Sequence, residues 1–379
     1  MTLRMKALRH AAMLALAAIA ALSLAACDAA SPDATHSTAT PAPTGPIAVV
    51  ASLNQWASLA RQIGGADVKV VSILPPDTPA AQGFAPSAAN IDALRHADII
   101  VANGAGYDDW AAKNLSKGGA IVSAAETVGA MDGDNPYLWF SKDARAGMAS
   151  ELAEAFSKAR PTKKKAFAAR LKTWRGAEGK LDDEFAAFAK AHKNSTYASL
   201  DASAFYLMAD LGLKDRTPQS YAQSALAAAG TQPQTDAAPS VDSSSGVKDF
   251  RKLLEGKQVD VLIGNGRKPD ETAAALLASA KTGKVPIVDV PEQMPAGASS
   301  LVDWVSSLAS PVIAAVRAGD ASGNTPDGTG NPDNTGSSHS TGASPSSTAS
   351  TAQSPGSGQD SPTASSSPQG SQSSTPSGK

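Results

Sequence analysis

The chain has 379 residues, a formal charge of −2, 42% hydrophobic side chains and a single cysteine. One cysteine excludes an intramolecular disulfide, so the fold must rest on its core. A mildly acidic chain also lacks the clustered Lys and Arg that phosphate contacts require, which argues against nucleic-acid binding.

Arg4, Lys6 and Arg9 precede an uncharged apolar run from Ala11 to Leu24, and Leu24-Ala25-Ala26-Cys27 closes it. A basic start, a short apolar stretch and a small-residue cleavage site predict a secretory signal over residues 1–26. The run is too short and wrongly flanked for a spanning helix. Leu-Ala-Ala-Cys resembles the bacterial lipobox, whose thiol receives a diacylglycerol and becomes the first mature residue. That resemblance implies a lipid anchor at Cys27, held firmly by several acyl chains together. Removing three basic side chains with the signal leaves the remainder at −5. Residues 27–45 read as the lipidated Cys and a flexible leader. Residues 319–379 read as a disordered tail, because from Asp320 onward there is no Leu, Ile, Val, Phe, Tyr or Trp and ordering would bury too little apolar surface. The folded body is expected over 46–318.

Pro46 to Ser52 reads as a buried strand, and Gln55 to Ile63 as a helix stopped by Gly64-Gly65. Val68 to Leu74 is a second strand, ended by Pro75-Pro76. Ser87 caps a helix that runs through Leu94, and Ala97 to Asn103 is a third strand before Gly104-Ala105-Gly106. From about Ala144 to His192 the pattern turns helical, divided at Pro161. Phe167, Leu171, Trp174, Leu181, Phe185 and Phe188 form one apolar stripe on a long helix. Alternation then resumes: a strand at 196–200, a helix at 202–211 stopped by Gly212, and a strand at 259–263. A helix follows at 271–281, a strand at 285–290 and a closing helix at 301–317. The order predicts an α/β protein of two lobes with parallel sheets, joined by one long helix. The divisions fall at 46–160, 161–193 and 194–318.

Seven stretches then carry a resemblance: ASLNQWASLARQIGG (51–65), FAPS (84–87), ADIIVANGAGYDDW (97–110), NPYLWF (135–140), YLMADLGLKDRTP (206–218), VDVLIGN (259–265) and VPIVDVPEQMPAG (285–297). In this order they resemble the zinc/manganese substrate-binding lipoproteins of bacterial ABC importers. The resemblance implies capture of a divalent metal ion in the inter-lobe cleft and its delivery to a permease and a cytoplasmic ATPase. It also implies a monomer, lipid-anchored on the outer face of the cytoplasmic membrane, with no catalytic cofactor.

Four family ligand positions carry over one at a time. Gln82 stands where a His precedes the aromatic of the first motif, and Tyr137 stands for the His of Asn-Pro-His-Leu-Trp. Asp201, five residues before Tyr206, matches a His or Glu, and Glu292 matches the acid after the last strand. Both histidines are thus replaced and both acids kept. An all-oxygen set favours manganese over zinc, which prefers imidazole and thiolate. Two nearby carboxylates would repel, so a cation, or a basic group on a ligand, is expected with them. The bland alternatives are that Tyr137 packs in the cleft, Gln82 lies on a surface loop, Asp201 caps a helix starting at Ala202 and Glu292 is a solvated turn acid. They belong to a second reading, in which metal binding is lost and the fold takes another small ligand or serves surface interaction or adhesion. An enzyme is not indicated: there is no thiol nucleophile, no phosphate-loop Lys and no Ser/His/Asp set.

Overall fold

The computed structural model describes residues 44–76, 78, 83–113, 119–228 and 243–323. The signal segment, Cys27, Gln82 and the chain beyond Gly323 lie outside the described residues.

Each lobe is built on a four-stranded parallel sheet. The first contains β1 (Ile47–Ala51), β2 (Val68–Ser72), β3 (Ile99–Ala102) and β4 (Ala120–Ser123), in the order β2-β1-β3-β4. Helices α1 (Asn54–Gly64), α2 (Ala88–Arg95) and α3 (Ala124–Val128) alternate with the strands. All four residues of β3 are buried, as is nearly all of β1, while edge strand β2 alternates partly buried and exposed positions. Continuous apolar runs are what a parallel strand covered on both faces requires. Two helices then lead away, α4 (Lys142–Ala159) and the 28-residue α5 (Lys164–Ala191), with Pro161 opening the short turn between them.

The second lobe runs β5 (Thr196–Ser199), α6 (Phe205–Asp210), β6 (Lys214–Asp215), α7 (Gln219–Ala228), α8 (Ser243–Glu255), β7 (Val261–Gly264), α9 (Glu271–Thr282), β8 (Ile287–Asp289) and α10 (Leu301–Gly323). Its sheet order, β6-β5-β7-β8, repeats that of the first. Chain direction across each sheet reverses at one place, between β1 and β3 and between β5 and β7. In open parallel sheets ligands settle at the carboxyl ends of the strands beside such a reversal.

Two expectations need correction. The closing helix does not stop at Arg317 but continues to Gly323, and Asp320, assigned to the tail, meets His192 at 2.6 Å. No strong stop signal precedes Gly323, so the helix runs on past Gly319. Helix α6 starts at Phe205 and not at Ala202, because Asp201 Oδ1 takes the Ser203 N–H (2.8 Å) and hydroxyl (2.6 Å). Such a local side-chain turn competes with helix and delays it.

One core cluster runs through both lobes. Val49, Trp56 and Val101 from the first sheet side join Phe185 of α5, Tyr197 and Ile263 of the second sheet, and Trp304 of α10. Helix α10 is long and apolar enough to cross a membrane by length and composition, but half of that stretch is buried inside the fold. Polar bonds lace the lobes as well. Asn54 Nδ2 donates to the Met294 and Pro295 carbonyls (both 3.1 Å), Ser58 Oγ to Ser299 O (2.9 Å) and Asn135 Nδ2 to Ala202 O (2.8 Å). A shared core and these bonds oppose wide hinge opening.

One buried ion pair pins the long helices. Arg145 of α4, fully buried, donates through Nε to Glu178 Oε1 of α5 at 2.8 Å. Its Nη1 also donates to the carbonyls of Trp139 (3.2 Å) and Phe140 (2.9 Å). Removing one member of such a pair strands the other charge in the interior, at about 3–5 kcal/mol. Arg145→Ala should therefore cost about that much in urea unfolding, whereas Arg145→Met combined with Glu178→Leu should recover most of the loss.

Asp210 supplies a pH signature. Burial raises its carboxyl from the ordinary range to about 6, against the opposing pull of Arg145 and of a bond from the Lys142 N–H. Its folded value lies above the unfolded one, so its contribution is fully present below pH 3.8 and lost as pH rises through about 6. Asp210→Asn should thus raise the thermal midpoint relative to wild type at pH 7–8, with the gain vanishing near pH 4. A gain that did not change with pH would contradict this assignment.

Candidate functional site: the cleft between the lobes

The cleft is built at the carboxyl ends of β3, β5, β7 and β8. Asn103 follows β3 and is fully buried. Its Oδ1 accepts from Trp56 Nε1 (3.0 Å), and its Nδ2 donates to Gly104 O (3.0 Å) and Pro136 O (2.8 Å). Asp108, also buried, accepts the N–H groups of Asn103 (2.7 Å) and Gly104 (2.8 Å). Desolvation pushes its carboxyl above the ordinary range, although these bonds pull the other way. The sharp turn after the strand takes Gly104 at φ 77°, where a Cβ would meet Ala125 Cβ at 2.7 Å. Asp108 thus organises the loop backbone, and its neighbour Asp109 pairs with Lys113 at 2.7 Å.

Asn103 and Arg145 grip the 136–140 turn from its two ends, and this sets Tyr137. The Tyr137 ring is buried, edge-on to Tyr107 (5.9 Å between centroids) and Trp139 (5.5 Å). Its N–H donates to Asn135 Oδ1 at 3.0 Å. Burial, followed by the Asp201 charge, pushes its phenol well above the ordinary value, with Arg267 opposing. The hydroxyl is therefore neutral across the physiological range.

Asp201 follows β5 and is half-buried. Beyond its turn to Ser203, its Oδ2 accepts from Asn265 Nδ2, at the end of β7. The carboxylate thus spans the strand reversal. Two residues on, Arg267 reaches Glu292, and its guanidinium bonds Glu292 Oε1 directly. Glu292 is only 3% exposed, which overturns its reading as a solvated turn acid. Gln55 Nε2 holds the Glu292 carbonyl from α1 at 2.8 Å, and Gln293 Nε2 donates to Tyr107 OH at 2.9 Å.

Tyr137, Asp201, Asn265, Arg267 and Asp289 line one cavity of about 640 Å³. Gly264 keeps its inner wall open, since a Cβ there would meet Asp289 Oδ1 at 2.5 Å. The structure therefore brings Tyr137 and Asp201 together and links Glu292 to them through Arg267, while Gln82 lies outside the described residues. Among the described residues no group of three or more His, Cys, Asp or Glu is close enough to hold an ion. Sequence reasoning missed Arg267. It expected a cation between the acids from outside, and the chain supplies one itself. The available signal was position: Asn265-Gly266-Arg267-Lys268 directly follows a fully apolar strand.

Two similarly wound lobes, one connecting helix and polar groups converging at both strand reversals define a two-lobed solute-binding protein. The family model described as "Zinc-uptake complex component A periplasmic" matches residues 49–315. The chain belongs to this family, the extracytoplasmic substrate-binding components of metal ABC importers, which work with a permease and an ATPase. No curated protein matches it in sequence. Among solved structures it is similar to the laminin-binding protein Lmb of Streptococcus agalactiae, described as bifunctional with adhesin and metal-transporting activity. That likeness has a TM-score of 0.58 and 16% identity, and covers 72% of this chain and 99% of the other. The periplasmic zinc-binding protein TroA from Treponema pallidum gives 0.57 at 15% identity, covering 72% and 99%. FpvC of P. aeruginosa, solved with Ni²⁺, gives 0.57 at 17%, covering 72% and 98%. At these identities the likeness establishes the shared fold.

Asn103→Ala would leave Trp56 Nε1 and the Pro136 carbonyl without their partner. Each buried group left unsatisfied costs about 1–3 kcal/mol. Denaturant unfolding should show a loss of at least that size, with altered tryptophan fluorescence in the folded baseline. An unchanged midpoint would show that Asn103 does not hold the turn.

Proposed function

We propose that the cargo is a divalent cation held by oxygen donors, with Asp201 and Glu292 as charged ligands, Tyr137 as a neutral hydroxyl and Gln82 completing the set. The chain works by capture and release and is not an enzyme. Oxygen-only ligation favours manganese over zinc. The chain is anchored as a monomer through a lipid on Cys27, at the outer face of the cytoplasmic membrane.

The observation that carries this reading is the guanidinium of Arg267 seated on buried Glu292. It supplies the positive charge a bound ion would bring, so loading is an exchange: the ion takes the carboxylates and Arg267 withdraws toward solvent. Arg267 is 37% exposed on its side chain, which gives it somewhere to go. The exchange lowers affinity, since the ion must compete with a charge-assisted bond. It also favours a hard ion able to bind carboxylates strongly over a weakly bound monovalent one.

The same pair favours one other reading, in which Glu292 is permanently committed to Arg267 and the cleft takes a polar organic ligand. Thermal-shift titration of chelator-treated protein with Mn, Zn, Ca, Mg, Fe and Ni separates the two, because a ligand of the folded state raises the midpoint with concentration. Wild type should respond best to Mn. Arg267→Gln should bind it about tenfold more tightly, a difference of about 1.4 kcal/mol, and Asp201→Asn should lose the response. No response to any ion in wild type and Arg267→Gln alike would overturn the metal reading.

A further inference from the structure

Charge is spread unevenly along the chain. From Ala155 to Ala177 there are eight Lys and Arg and no Asp or Glu, in a chain whose formal charge is −2. The stretch covers the end of α4, the turn at Pro161 and the first half of α5. Half of these cations are balanced locally. Lys158 pairs with Glu154 (2.6 Å), Arg160 with Asp98 (3.6 Å), and Lys163 and Arg170 with Asp67 (3.0 and 2.7 Å). The other four, Lys164, Lys165, Lys172 and Arg175, are exposed and form no ion pair among the described residues. At 3.6 residues per turn they share one arc of about 100° on α5, turned away from buried Phe167 and Trp174. Lys164 and Arg175 line the groove between α4 and α5 together with Lys158. Arg175 Nη2 donates there to Ser150 Oγ at 3.0 Å. A solvated helix face ordinarily mixes both signs, whereas this arc presents one.

A second observation is independent of these charges. Arg160 Nε, in the middle of the stretch, donates to Gly45 O at 3.0 Å. The basic stretch therefore sits where the folded body begins, at the amino end of β1. Gly45 lies eighteen residues after Cys27, and a coil of that many residues reaches about 25 Å. A lipid on Cys27 would hold this end of the body close to the bilayer.

We propose that the basic end of α4 and α5 is a docking surface for anionic lipid headgroups, on which the body rests against the membrane. The proposal rests on the lipid-anchor reading: the acyl chains supply attachment, and the patch selects the face that meets the surface. Each Lys or Arg near an anionic bilayer adds about fivefold to the affinity. The cleft stands at the carboxyl ends of the same parallel strands, so the docked body keeps it pointed away from lipid and open to cargo.

The mature chain carrying Cys27→Ser, and so free of lipid, tests the patch. It should float with phosphatidylcholine vesicles containing about one-third phosphatidylglycerol and not with phosphatidylcholine alone. Raising salt from about 0.05 to about 0.5 M should release it. Replacing Lys164, Lys165, Lys172 and Arg175 together by Gln should lower the affinity for anionic vesicles by at least about a hundredfold. Replacing Lys190, Lys248, Lys252 and Lys281 by Gln gives the same net charge from other exposed positions and should leave flotation as in wild type. Equal flotation with both vesicles, flotation with neither, or the same loss in both variants would overturn the proposal. So would binding to a glycerol phosphate wall polymer in place of vesicles. Intact mass of the detergent-extracted chain tests the anchor separately. A mass without acyl chains would overturn the anchor and the proposal with it, whereas failed flotation beside an acylated Cys27 would overturn the patch alone.

Discussion

Arg145 is the side chain on which the arrangement of the cleft depends. From inside the core it binds the long helix through Glu178 and the 138–140 turn through two carbonyls. A charge without water is tolerable only when its donors are used, so the helix and the turn cannot shift independently. Asn103 takes the other end of the same turn. Tyr137 is thereby fixed relative to both sheets before any ligand arrives. A core continuous between the lobes opposes wide opening during ligand capture.

That constraint gives Arg267 its importance. A cleft that scarcely opens cannot leave buried Glu292 waiting as a bare carboxylate, because desolvation without a partner costs several kcal/mol. Elsewhere in a protein the usual remedy is protonation; here it is a guanidinium from the loop that follows β7. The pair neutralises buried Glu292, and on the proposed reading it makes cargo binding an exchange of cations. On the same reading Tyr137, held neutral by burial and by Asp201, adds a hydroxyl without adding charge.

Much of the frame was legible in the sequence because the strands are apolar runs bounded by Gly and Pro, and the stripe from Phe167 to Phe188 has helical spacing. Ser87 was legible as a cap, and its side chain does accept from the Asn90 N–H. Strand β4 was not: it is four residues long and passes straight into α3 with no turn residue between. In α8, Val247, Phe250 and Leu254 do recur at steps of three and four, a signal obscured by the Ser-, Pro- and Gln-rich stretch ahead of them. At the site, motif correspondence placed Tyr137, Asp201 and Glu292 in one neighbourhood. It was silent on Arg267 and Arg145, because correspondence transfers only the positions a family uses for ligands. Glu178 was hidden for a related reason: an acid inside an apolar stripe reads as a helix face until its buried partner is seen.

The most direct measurement is a crystal structure of the manganese-soaked chain, with anomalous scattering recorded to locate the ion. The account predicts one strong peak contacted by carboxylate oxygens of Asp201 and Glu292, close to the Tyr137 hydroxyl, with the Arg267 guanidinium moved off Glu292 toward solvent. A cleft without an anomalous peak, and with Arg267 still on Glu292 at saturating manganese, would contradict it.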